Sequence, residues 1–340
     1  MAEYEVNIDL ANDAKKEMAK KIGSGEPRVL NQFGAFSSLY DFSFPEYKQP
    51  VLVLKTEEPG SKQLLAMKYG KIETVCYDMI HHLINDCIVM GARPLTVQDA
   101  IICGKLEKDI VTKIVASISD ACRKQGCVLT GGETSEQPGV LEKGVYILTS
   151  SIVGIVEKEK IIDGSKIEAG DLVLSLESSG IHTNGYTLVR KIIAENPMME
   201  KEIVDGRDLI AAVLEPHRCY YSALKGLFGK DVVQGMAHIT GGGIRENLNR
   251  ILPDNVNAEI DLAAYQVPTI FHVLKKYGAV SDEEMLRTFN LGVGLAMAVK
   301  RRDADEVISA VERNGVSCHI IGKMVPGNGS VVCKNKLRWE

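Results

Sequence analysis

From residue 50 onward, short apolar runs alternate with longer stretches in which apolar residues recur at helical spacing. Short apolar runs bounded by Gly, Pro or Asp favour strands, whereas longer periodic stretches favour helices. The pattern predicts strands at 50–55, 94–102, 127–133 and 144–157, and helices at 72–90 and 108–125. Such alternation is typical of an α/β unit with one helix-backed sheet. The first fifty residues are polar and irregular, with a helix predicted near 11–22 and a loop at 31–36.

A second unit follows the connection 161–171, which is marked by Gly and Asp. Its pattern predicts strands at 172–177, 232–240, 258–262, 291–299 and 318–325, and helices at 184–194, 208–227, 244–251, 268–277 and 303–314. We therefore predict an α/β (α+β) fold with two domains, 1–165 and 166–340, each a mixed sheet backed by helices. A Thr-Gly-Gly triplet ends one predicted strand in each unit, at 130–132 and 240–242. Coincidence explains three shared letters as well as a repeat does.

The composition is that of an ordinary soluble globular protein, with 340 residues, 45% hydrophobic and 25% charged, and a net charge of -5. This acidic balance argues against general affinity for nucleic acid or an anionic membrane, while a local basic pocket for a small anion stays compatible with it. No window approaches the roughly 18 apolar residues of a membrane span, so we expect a cytoplasmic protein. The eight cysteines include no C-x-x-C pair, which favours buried reduced thiols.

The helix predicted at 72–90 has an apolar stripe and, opposite it, the polar residues Asp78, His82 and Asn85. Asp86 lies at the border between the polar face and the core. A half-buried carboxylate needs a partner, and Mg²⁺ or a basic group would serve. A solvated helix face is the alternative.

Further acidic residues lie in or beside predicted strands. Asp99 falls inside the apolar strand 94–102, where an unpaired charge costs several kcal/mol; a salt bridge, for example to Lys105, is the alternative to a functional role. Glu133 and Glu136 flank a double glycine at a predicted strand end, where α/β sheets tend to bind ligands. Hard oxygen ligands beside flexible backbone suit Mg²⁺, and a simple turn is the alternative.

Three glycine-bearing loops are candidate anion sites. The stretches 178–186 (SSGIHTNGY) and 237–248 (AHITGGGIRENL) place hydroxyls, histidines and backbone N–H groups at the start of a helix, which is a natural phosphate cradle. For the first, Asn184 as a simple N-cap is the alternative. The third stretch, 287–294 (RTFNLGVG), alone is no better than a loop into a strand. The stretch 55–62 (KTEEPGSK) is not a standard phosphate loop, because it has one glycine and its proline lacks an N–H.

No Ser-His-Asp order, H-E-x-x-H or G-x-G-x-x-G fingerprint is present. What remains is several glycine loops suited to anions, several carboxylates suited to a cation, and few candidate nucleophiles. Residue types and spacing alone therefore indicate a Mg²⁺-assisted enzyme acting on a phosphorylated small molecule, and no more.

Long strings of the sequence resemble the phosphoribosylformylglycinamidine cyclo-ligase (aminoimidazole ribonucleotide synthetase) family of purine biosynthesis. CVLTGGETSEQPG, SSGIHTNGYTLVRKI, AHITGGGIRENL and MLRTFNLGVG occur in the family's order and spacing. The resemblance implies that family's two-domain fold and an ATP- and Mg²⁺-dependent ligase. In the implied reaction the formyl oxygen of formylglycinamidine ribonucleotide is phosphorylated, the amidine nitrogen closes the ring and phosphate leaves. It also implies a homodimer that pairs the N-terminal ATP-binding domains, with 166–340 as the synthetase domain.

The resemblance further implies roles for single residues. ATP would be bound by Thr56, Glu57, Gly60, Lys62, Asn85, Gly131, Gly132 and Thr134, with Lys62 at its phosphates. The metal would be held by Glu57, Asp86 and Glu133. Substrate and phosphate would be bound by Ser179, Gly180, Thr183, Asn184, Thr240, Gly241, Gly242, Gly243, Arg245 and Asn290. The catalytic candidates are His182 and His238, for proton transfer, and the strand acid Asp99.

Three segments depart from the family's wording. The family's Asp-Gly-Val is Glu57-Glu58-Pro59 here, its G-V-D-x-x-A-G is EVNIDLAN with Asn7 in place of an acid, and its P-T-R is Pro216-His217-Arg218. Two alternatives therefore stay open: another ATP-using enzyme of the superfamily, such as a thiamine-phosphate kinase-like or selenophosphate synthetase-like protein, and a nucleotide-binding paralogue without turnover. The substrate-side loops favour the cyclo-ligase.

Overall fold

The N-terminal domain is one four-stranded sheet with helices on one face, in a computed structural model that describes residues 8–22, 26–31 and 35–339. Its helices are α1 (Ile8–Lys21), α2 (Lys62–Lys68), α3 (Ile72–Ile88) and α4 (Lys108–Lys124). Its strands are β1 (Pro50–Glu57), β2 (Arg93–Cys103), β3 (Val128–Glu136) and β4 (Tyr146–Glu157). The order is β1-β4-β2-β3, with β2 and β3 parallel and the other neighbours antiparallel. The departing motif at Asn7 and part of the loop 31–36 lie outside the described residues.

The C-terminal domain is built on a six-stranded mixed sheet in the order β12-β9-β11-β5-β10-β8. Its strands are β5 (Leu172–Glu177), β6 (Ile203–Val204), β7 (Arg207–Asp208), β8 (Val233–His238), β9 (Val256–Asp261), β10 (Val293–Val299), β11 (Cys318–Pro326) and β12 (Val331–Lys334), of which β6 and β7 form a separate hairpin. Its helices are α5 (Tyr186–Glu195), α6 (Leu209–Val213), α7 (Tyr221–Leu224), α8 (Gly243–Asn249), α9 (Thr269–Gly278), α10 (Asp282–Thr288) and α11 (Ala304–Glu312).

The predicted fold class, two mixed sheets each backed by helices, is confirmed. The first sheet ends at Glu157 and the second begins at Leu172, so the predicted boundary near residue 165 falls in the connection between them. One cluster of buried apolar residues runs through both domains. The two units are therefore docked through a shared core. No helix in the described part of the chain is long and apolar enough to cross a bilayer.

Helix α3 is buried on both faces. Its apolar stripe packs in the core as predicted, but the opposite polar face is not solvated, because Asp78 and Asn85 have no exposed surface and His82 is 6% exposed. The C-terminal domain covers this face. Periodicity identifies which residues share a side of a helix, and it does not reveal whether water or another domain lies there.

The long helix predicted at 208–227 is wrong. The chain forms α6 and α7 instead, separated by a non-helical segment, Leu214–Tyr220. Pro216 lies in the middle of this segment, and proline inside a helix removes a backbone hydrogen bond and clashes with the preceding turn. The break matters for the site, since this segment carries His217 into the domain interface.

The predicted strand end at Thr130-Gly131-Gly132 is also wrong, because β3 continues through the glycines to Glu136. The second triplet, Thr240-Gly241-Gly242, does follow a strand and leads into α8. One triplet lies inside a strand and the other in a turn, so they are not equivalent parts of a repeat.

Candidate active site

Four of the seven histidines meet where the domains pack together. His82 comes from α3, His182 from the loop before α5, His217 from the 214–220 segment and His238 from the end of β8. All four are buried. The rings of His182 and His217 stack with their centroids 3.8 Å apart, and those of His82 and His238 meet edge to face at 4.8 Å. Both domains are therefore needed to build this histidine cluster.

A chain of hydrogen bonds runs through the cluster. Asp86 Oδ1 lies 2.7 Å from Nδ1 of His238, and Nε2 of His238 lies 2.9 Å from Nε2 of His217. The backbone N–H of Ser179 donates to Nε2 of His182 at 3.1 Å, so this nitrogen is the unprotonated one of the ring. Nδ1 of His182 is buried and has no partner among the described residues.

Two carboxylates and a lysine lie beside the histidines. Glu57 Oε1 is 3.1 Å from Nε2 of His82, and Lys55 Nζ is 3.0 Å from Asp86 Oδ2 and 3.8 Å from Glu57 Oε1. Burial opposes ionisation of Asp86, but the hydrogen bond and charge of His238, with help from His82 and Lys55, hold the pKa of Asp86 well below its usual range. Burial raises the pKa of Glu57 and lowers that of His82 to about 3. Asp86 is thus the stable negative charge of the site.

These groups open on a cavity of about 270 Å³ between the domains. Lys55, Glu57, His82, Asp86 and His238 line one side of it. Other polar residues along its wall are Thr240, Asn247 and Arg250. The predicted metal ligands Glu57 and Asp86 and the predicted catalytic residue His238 therefore share one solute-accessible space, whereas His182 lies behind it.

Lys62 lies in a different environment from the one the family loop implies. It is fully buried, and its Nζ donates to Asp78 Oδ1 at 2.9 Å, to the carbonyl of His182 at 3.0 Å and to the carbonyl of Glu215 at 2.7 Å. Asp78 in turn accepts from the backbone N–H of His217 at 2.7 Å. All three ammonium protons are used inside the protein, so contact between Lys62 and ATP stays a prediction.

The loop that departs from the family's sequence, residues 57–60, still forms a turn. Gly60 has φ +65°, a conformation that glycine adopts readily, and α2 begins two residues later at Lys62. Pro59 is buried and the side chain of Glu58 is exposed. The segment Glu57–Gly60, although stiffer and more acidic than the family's loop, therefore still forms a turn that leads into a helix.

Asn85 also binds the other domain. Its Nδ2 donates to the carbonyl of Arg218 at 2.8 Å, and its Oδ1 accepts from the backbone N–H of Tyr220 at 3.0 Å. With both ends of the amide engaged, Asn85 holds the 214–220 segment in place. Its predicted role towards ATP is untested by this geometry.

The loop 178–185 is shaped by its own polar side chains. Asn290 Nδ2 donates to the carbonyls of Gly180 and Ile181, and its Oδ1 meets the hydroxyl of Ser178 at 2.9 Å. Ser179 Oγ donates to the carbonyl of Pro216. Ser179 and Asn290 thus position the loop, and the substrate contacts predicted for them stay predictions.

The loop 238–243 approaches the first loop. Asn184 Oδ1 lies only 3.2 Å from where a Cβ on Gly241 would be, and Gly243, at φ +62°, would place a Cβ 2.0 Å from the carbonyl of Leu286. Position 243 therefore requires glycine, and Gly241 lets the two loops approach closely. Thr183 Oγ1 lies 3.1 Å from Nδ1 of His82. The two predicted phosphate loops are therefore neighbours beside the histidine cluster.

Arg245 does not join them. Its Nε donates to Cys333 Sγ on β12 at 3.3 Å, and the arginine that lines the cavity is Arg250. The spacing of the motif placed the arginine on the opening turn of α8, but the side chain leaves that turn on the face packed against β12.

The sheet register separates the remaining candidates. Glu57, Ser150, Asp99 and Gly132 form one row across the four strands, and Ser150 Oγ contacts Met79 of α3, so this row faces the helices. A Cβ on Gly132 would lie 1.9 Å from Asp99 Oδ1, which requires glycine there. Thr134 belongs to the same face.

Gly131, Glu133 and Thr56 occupy the opposite, open face, where Thr56 Oγ1 lies 2.8 Å from Ser151 Oγ. Glu133 is exposed and is separated from Glu57 by the sheet itself. The structure does not bring Glu57, Asp86 and Glu133 together around one ion within one chain. A part for Glu133 in metal binding stays a prediction.

Asp99 has no ion pair among the described residues, so the salt bridge to Lys105 is absent there. Burial raises the pKa of Asp99 to about 7. A carboxyl with such a pKa exchanges protons near neutral pH, which fits the predicted catalytic role without testing it.

Both domains of the chain are similar to known proteins. Two family profiles, the N-terminal and C-terminal domains of AIR synthase related proteins, match residues 47–156 and 168–334. The curated phosphoribosylformylglycinamidine cyclo-ligases of Bacillus mycoides (strain KBAB4) and Bacillus cereus (strain B4264) are each 40% identical to this chain over 328 residues, which is 95% of this chain and 95% of theirs. The chain belongs to the phosphoribosylformylglycinamidine cyclo-ligase family.

Solved structures support the fold. HypE of E. coli superposes with a TM-score of 0.68 at 17% identity over 97% of both chains. Thiamine-monophosphate kinase from Stenotrophomonas maltophilia K279a gives 0.68 at 15% identity, covering 97% of this chain and 96% of its own. A HypE structure in complex with ATP gives 0.67 at 15% identity, covering 96% and 90%. At these identities the likeness establishes the two-domain architecture alone.

For this cyclo-ligase family member, sequence reasoning missed Lys55 and His217 as site residues and gave no role to Asp78. His217 was visible only as a departure from the family's P-T-R, because the helix predicted through it hid its approach to α3. Lys55 ends an apolar run and looked like an ordinary strand terminus. A polar residue on an otherwise amphipathic helix, such as Asp78, gives no sign of its partner until the second domain is placed.

Proposed function

We propose that this protein catalyses the ATP-dependent closure of the imidazole ring in purine biosynthesis, from formylglycinamidine ribonucleotide to 5-aminoimidazole ribonucleotide. The observation that carries the proposal is the 40% identity to curated cyclo-ligases over 95% of both chains. The match covers 328 of the 340 residues, so it spans both glycine loops and both domains that form the cavity. The fold-level neighbours, at 15–17% identity, favour no competing reaction.

Ring closure removes a proton from the attacking amidine nitrogen. We assign its uptake to His238, because His238 lines the cavity while His182 lies behind it. Asp86 lies against Nδ1 of His238 and stabilises the charge that the ring acquires. Nε2 of His238 contacts His217, so uptake of the proton at this nitrogen requires that contact to open when substrate binds.

ATP is the proposed co-substrate, and it transfers its terminal phosphoryl group to the formyl oxygen. Its phosphates need cations, and Lys55 and Arg250 are the basic residues at the cavity. The carboxylates of Asp86 and Glu57 fit a divalent cation such as Mg²⁺, which would balance charge during the transfer. The chain's own part is to hold these carboxylates beside His238.

The proposed assembly is a homodimer through the N-terminal sheets. On β1, Val51 and Val53 pack against the core, while Leu52 and Leu54, on the other side, are 48% and 69% exposed. Ile147 of β4 adds 39% exposure on that open face. An exposed apolar sheet face marks an interaction surface. Leu54→Lys is expected to give monomers by light scattering, whereas Ile203→Lys, at a C-terminal position that is 59% exposed, should not.

The activity is tested by incubating the full chain with formylglycinamidine ribonucleotide, ATP and Mg²⁺ and measuring aminoimidazole and phosphate. We expect stoichiometric formation of both, and a loss of turnover of about 10²–10⁴-fold in His238→Gln. The matched control is His319→Gln, an exposed histidine on β11. Absence of product from folded protein that still binds ATP would favour the paralogue without turnover. Phosphorylation of thiamine monophosphate instead would favour the kinase-like alternative.

A further inference from the structure

A second cavity, here called the α7 cavity, lies between the two domains. Its volume is about 360 Å³, and it shares no lining residue with the cavity that His238 lines. The ends of β4 and β2 form its wall on one side, and α7 with the residues after it forms the other. Small-molecule sites commonly have this size and combine aromatic rings with a few charged groups. The wall carries three aromatic rings and three cations, namely Tyr47, Tyr221, Phe228, Arg93, Lys160 and Lys225.

The aromatic rings lie where two apolar clusters face each other without joining. Tyr47 packs against a small cluster that contains Phe44, whereas Tyr221 and Phe228 pack against the large core. All three rings are half-buried, so each keeps part of its surface free. Burial raises the pKa of Tyr47 and of Tyr221, so both phenols stay neutral at physiological pH. The planar ring of a ligand can therefore stack here without meeting a negative charge.

The three cations come from three separate elements. Arg93 begins β2, Lys160 ends the short turn after β4, and Lys225 follows α7. In the described part of the chain only Arg93 has an ion-pair partner, Glu46 at 4.0 Å. Lys160 reaches the C-terminal side, because a Cβ on Gly229 would lie 3.4 Å from its Nζ. One unpaired surface lysine is ordinary, but cations that converge from three elements on one cavity favour an anionic ligand.

The acidic residues of the wall leave this positive charge largely uncompensated. The carboxylate of Glu157 accepts from the backbone N–H of Lys48 at 2.6 Å and of Gln49 at 2.8 Å. Glu46 contacts Arg93 only at the limit of an ion pair, and both side chains are about half exposed. Such a pair is weak and is readily exchanged for a stronger anion. Three cations therefore face one loosely held carboxylate.

We propose that the α7 cavity binds a nucleoside monophosphate. Its base would stack on the tyrosine rings, and its phosphate would lie among Arg93, Lys160 and Lys225. Stacking on aromatic side chains accepts any base, because every base has a π face. Phosphate oxygens form strong charge-assisted hydrogen bonds with guanidinium and ammonium groups. The site goes beyond the proposed function, and its occupation is measured without substrate or ring closure.

The test is a calorimetric titration of the full chain with AMP and, separately, with ribose 5-phosphate, both without Mg²⁺. Lys160→Met and Lys225→Met should each weaken AMP binding by about threefold and together by about tenfold, because partly exposed cations contribute little singly. Tyr221→Leu should weaken AMP binding by about five- to tenfold. The same variant should leave the affinity for ribose 5-phosphate unchanged, since that ligand has no base to stack.

Two control variants separate this site from other binding. Lys143→Met removes an exposed lysine outside the α7 cavity and should leave both affinities unchanged. Arg250→Met alters the cavity that His238 lines, and AMP binding at the α7 cavity should survive it. Together the controls distinguish a nucleotide bound beside α7 from one bound at the candidate active site.

Any of three results would contradict the proposal. One is the absence of a binding heat with millimolar AMP. Another is AMP binding that is lost in Arg250→Met and unchanged in the double lysine variant, which would place the nucleotide at the candidate active site alone. The last is inorganic phosphate bound as tightly as AMP, which would make the cavity a site for small anions only. Each would leave the proposed ring closure untouched, because turnover is measured separately.

Discussion

Two lysine–aspartate pairs tie α3 to its neighbours in the N-terminal domain, one through Lys62 of α2 and the other through Lys55 of β1, and they differ mainly in burial. Lys62 and Asp78 meet at 2.8 Å with both side chains fully buried. Lys55 and Asp86 meet at 3.0 Å with side chains 38% and 20% exposed. Both aspartates come from α3, little more than two helical turns apart.

Burial separates the roles of the two pairs. In the sealed pair every charge has further partners inside the protein, namely two carbonyls for Lys62 and the N–H of His217 for Asp78. In the open pair Asp86 faces the cavity and also contacts His238. The sealed pair therefore stabilises the docking of the domains, whereas the open pair is available to solutes. Residue type alone would have assigned them the same task.

The largest expected effect comes from breaking the sealed pair. Lys62→Met leaves Asp78 buried without its cation, and removing one partner of a buried pair costs about 3–5 kcal/mol. The free energy of unfolding, measured by denaturant titration, should fall by that amount. Burial already raises the pKa of Asp78 to about 6, so protonation offsets part of the loss and the effect should be smaller at pH 5 than at pH 8.

The double variant Lys62→Met with Asp78→Asn is the matched control. It removes both charges and should recover part of the lost stability. A Lys62→Met protein as stable as the unaltered chain, with a raised KM for ATP, would instead support the nucleotide contact that the family loop implies.

The next effect is expected in the open pair, on turnover and not on folding. Asp86→Asn removes the negative charge beside His238 and should lower kcat by about 10²–10⁴-fold. The unfolding free energy should fall by less than in Lys62→Met, because the amide oxygen can still contact Nδ1 of His238 and Lys55 is partly exposed. Aminoimidazole formation and denaturant titration measure the two quantities on the same preparation. Loss of folding with intact kcat in the folded fraction would reverse the assignment of the two pairs.

Asp99 extends the comparison to a carboxylate with no cation. Its native pKa of about 7 exceeds the value of about 4 in an unfolded chain, so the native state binds more protons between these values. Stability conferred by the protonated form is therefore lost as pH rises from about 4 to 7. Asp99→Asn, which never ionises, should be more stable than the unaltered chain at pH 8 by about 1–3 kcal/mol and no more stable at pH 4. Thermal unfolding at both pH values measures this, with the exposed Glu142→Gln as control.

The smallest effect is expected from Lys55→Met. The pair is partly open to solvent, so its loss should change the unfolding free energy by no more than about 1 kcal/mol. The same substitution at Lys62 is the natural comparison, since both variants lose one lysine that contacts one aspartate of α3. Equal destabilisation by the two would show that burial does not distinguish the pairs.

Local pattern was sufficient for most of the fold. The apolar stripe of α3, the strands of the first sheet, most strands of the second and the two-domain division follow from the spacing of apolar residues and of Gly, Pro and Asp, because burial of one face imposes that spacing. Strand β12 was not predicted. The helix predicted across Pro216 was wrong because the prediction gave the apolar residues on either side more weight than the single proline. The turn predicted at Gly131-Gly132 failed because those glycines serve close packing against Asp99, which only the neighbouring strand reveals.

The site was predicted less completely than the fold. Asp86, Glu57 and His238 do meet at one cavity, while Glu133 lies across the sheet and Arg245 turns towards β12. Motif spacing shows only which residues are close along the chain. Strand register places Glu133 on the far face of the sheet, and the orientation of the seven-residue helix α8 turns Arg245 away from the cavity. His217 could not be predicted, because its position depends on a segment that Asn85 and Asp78 hold from the other domain.

The 214–220 segment also limits how such a protein can be rebuilt. A chimera that takes one domain from this chain and the other from a relative would join an α3 and a segment that have not changed together. The histidine cluster would then lose the backbone contacts that orient it, even if each domain folded well. In such a chimera α3 and this seven-residue segment should therefore come from the same parent. Exchanging the two together preserves the contacts that orient the histidine cluster.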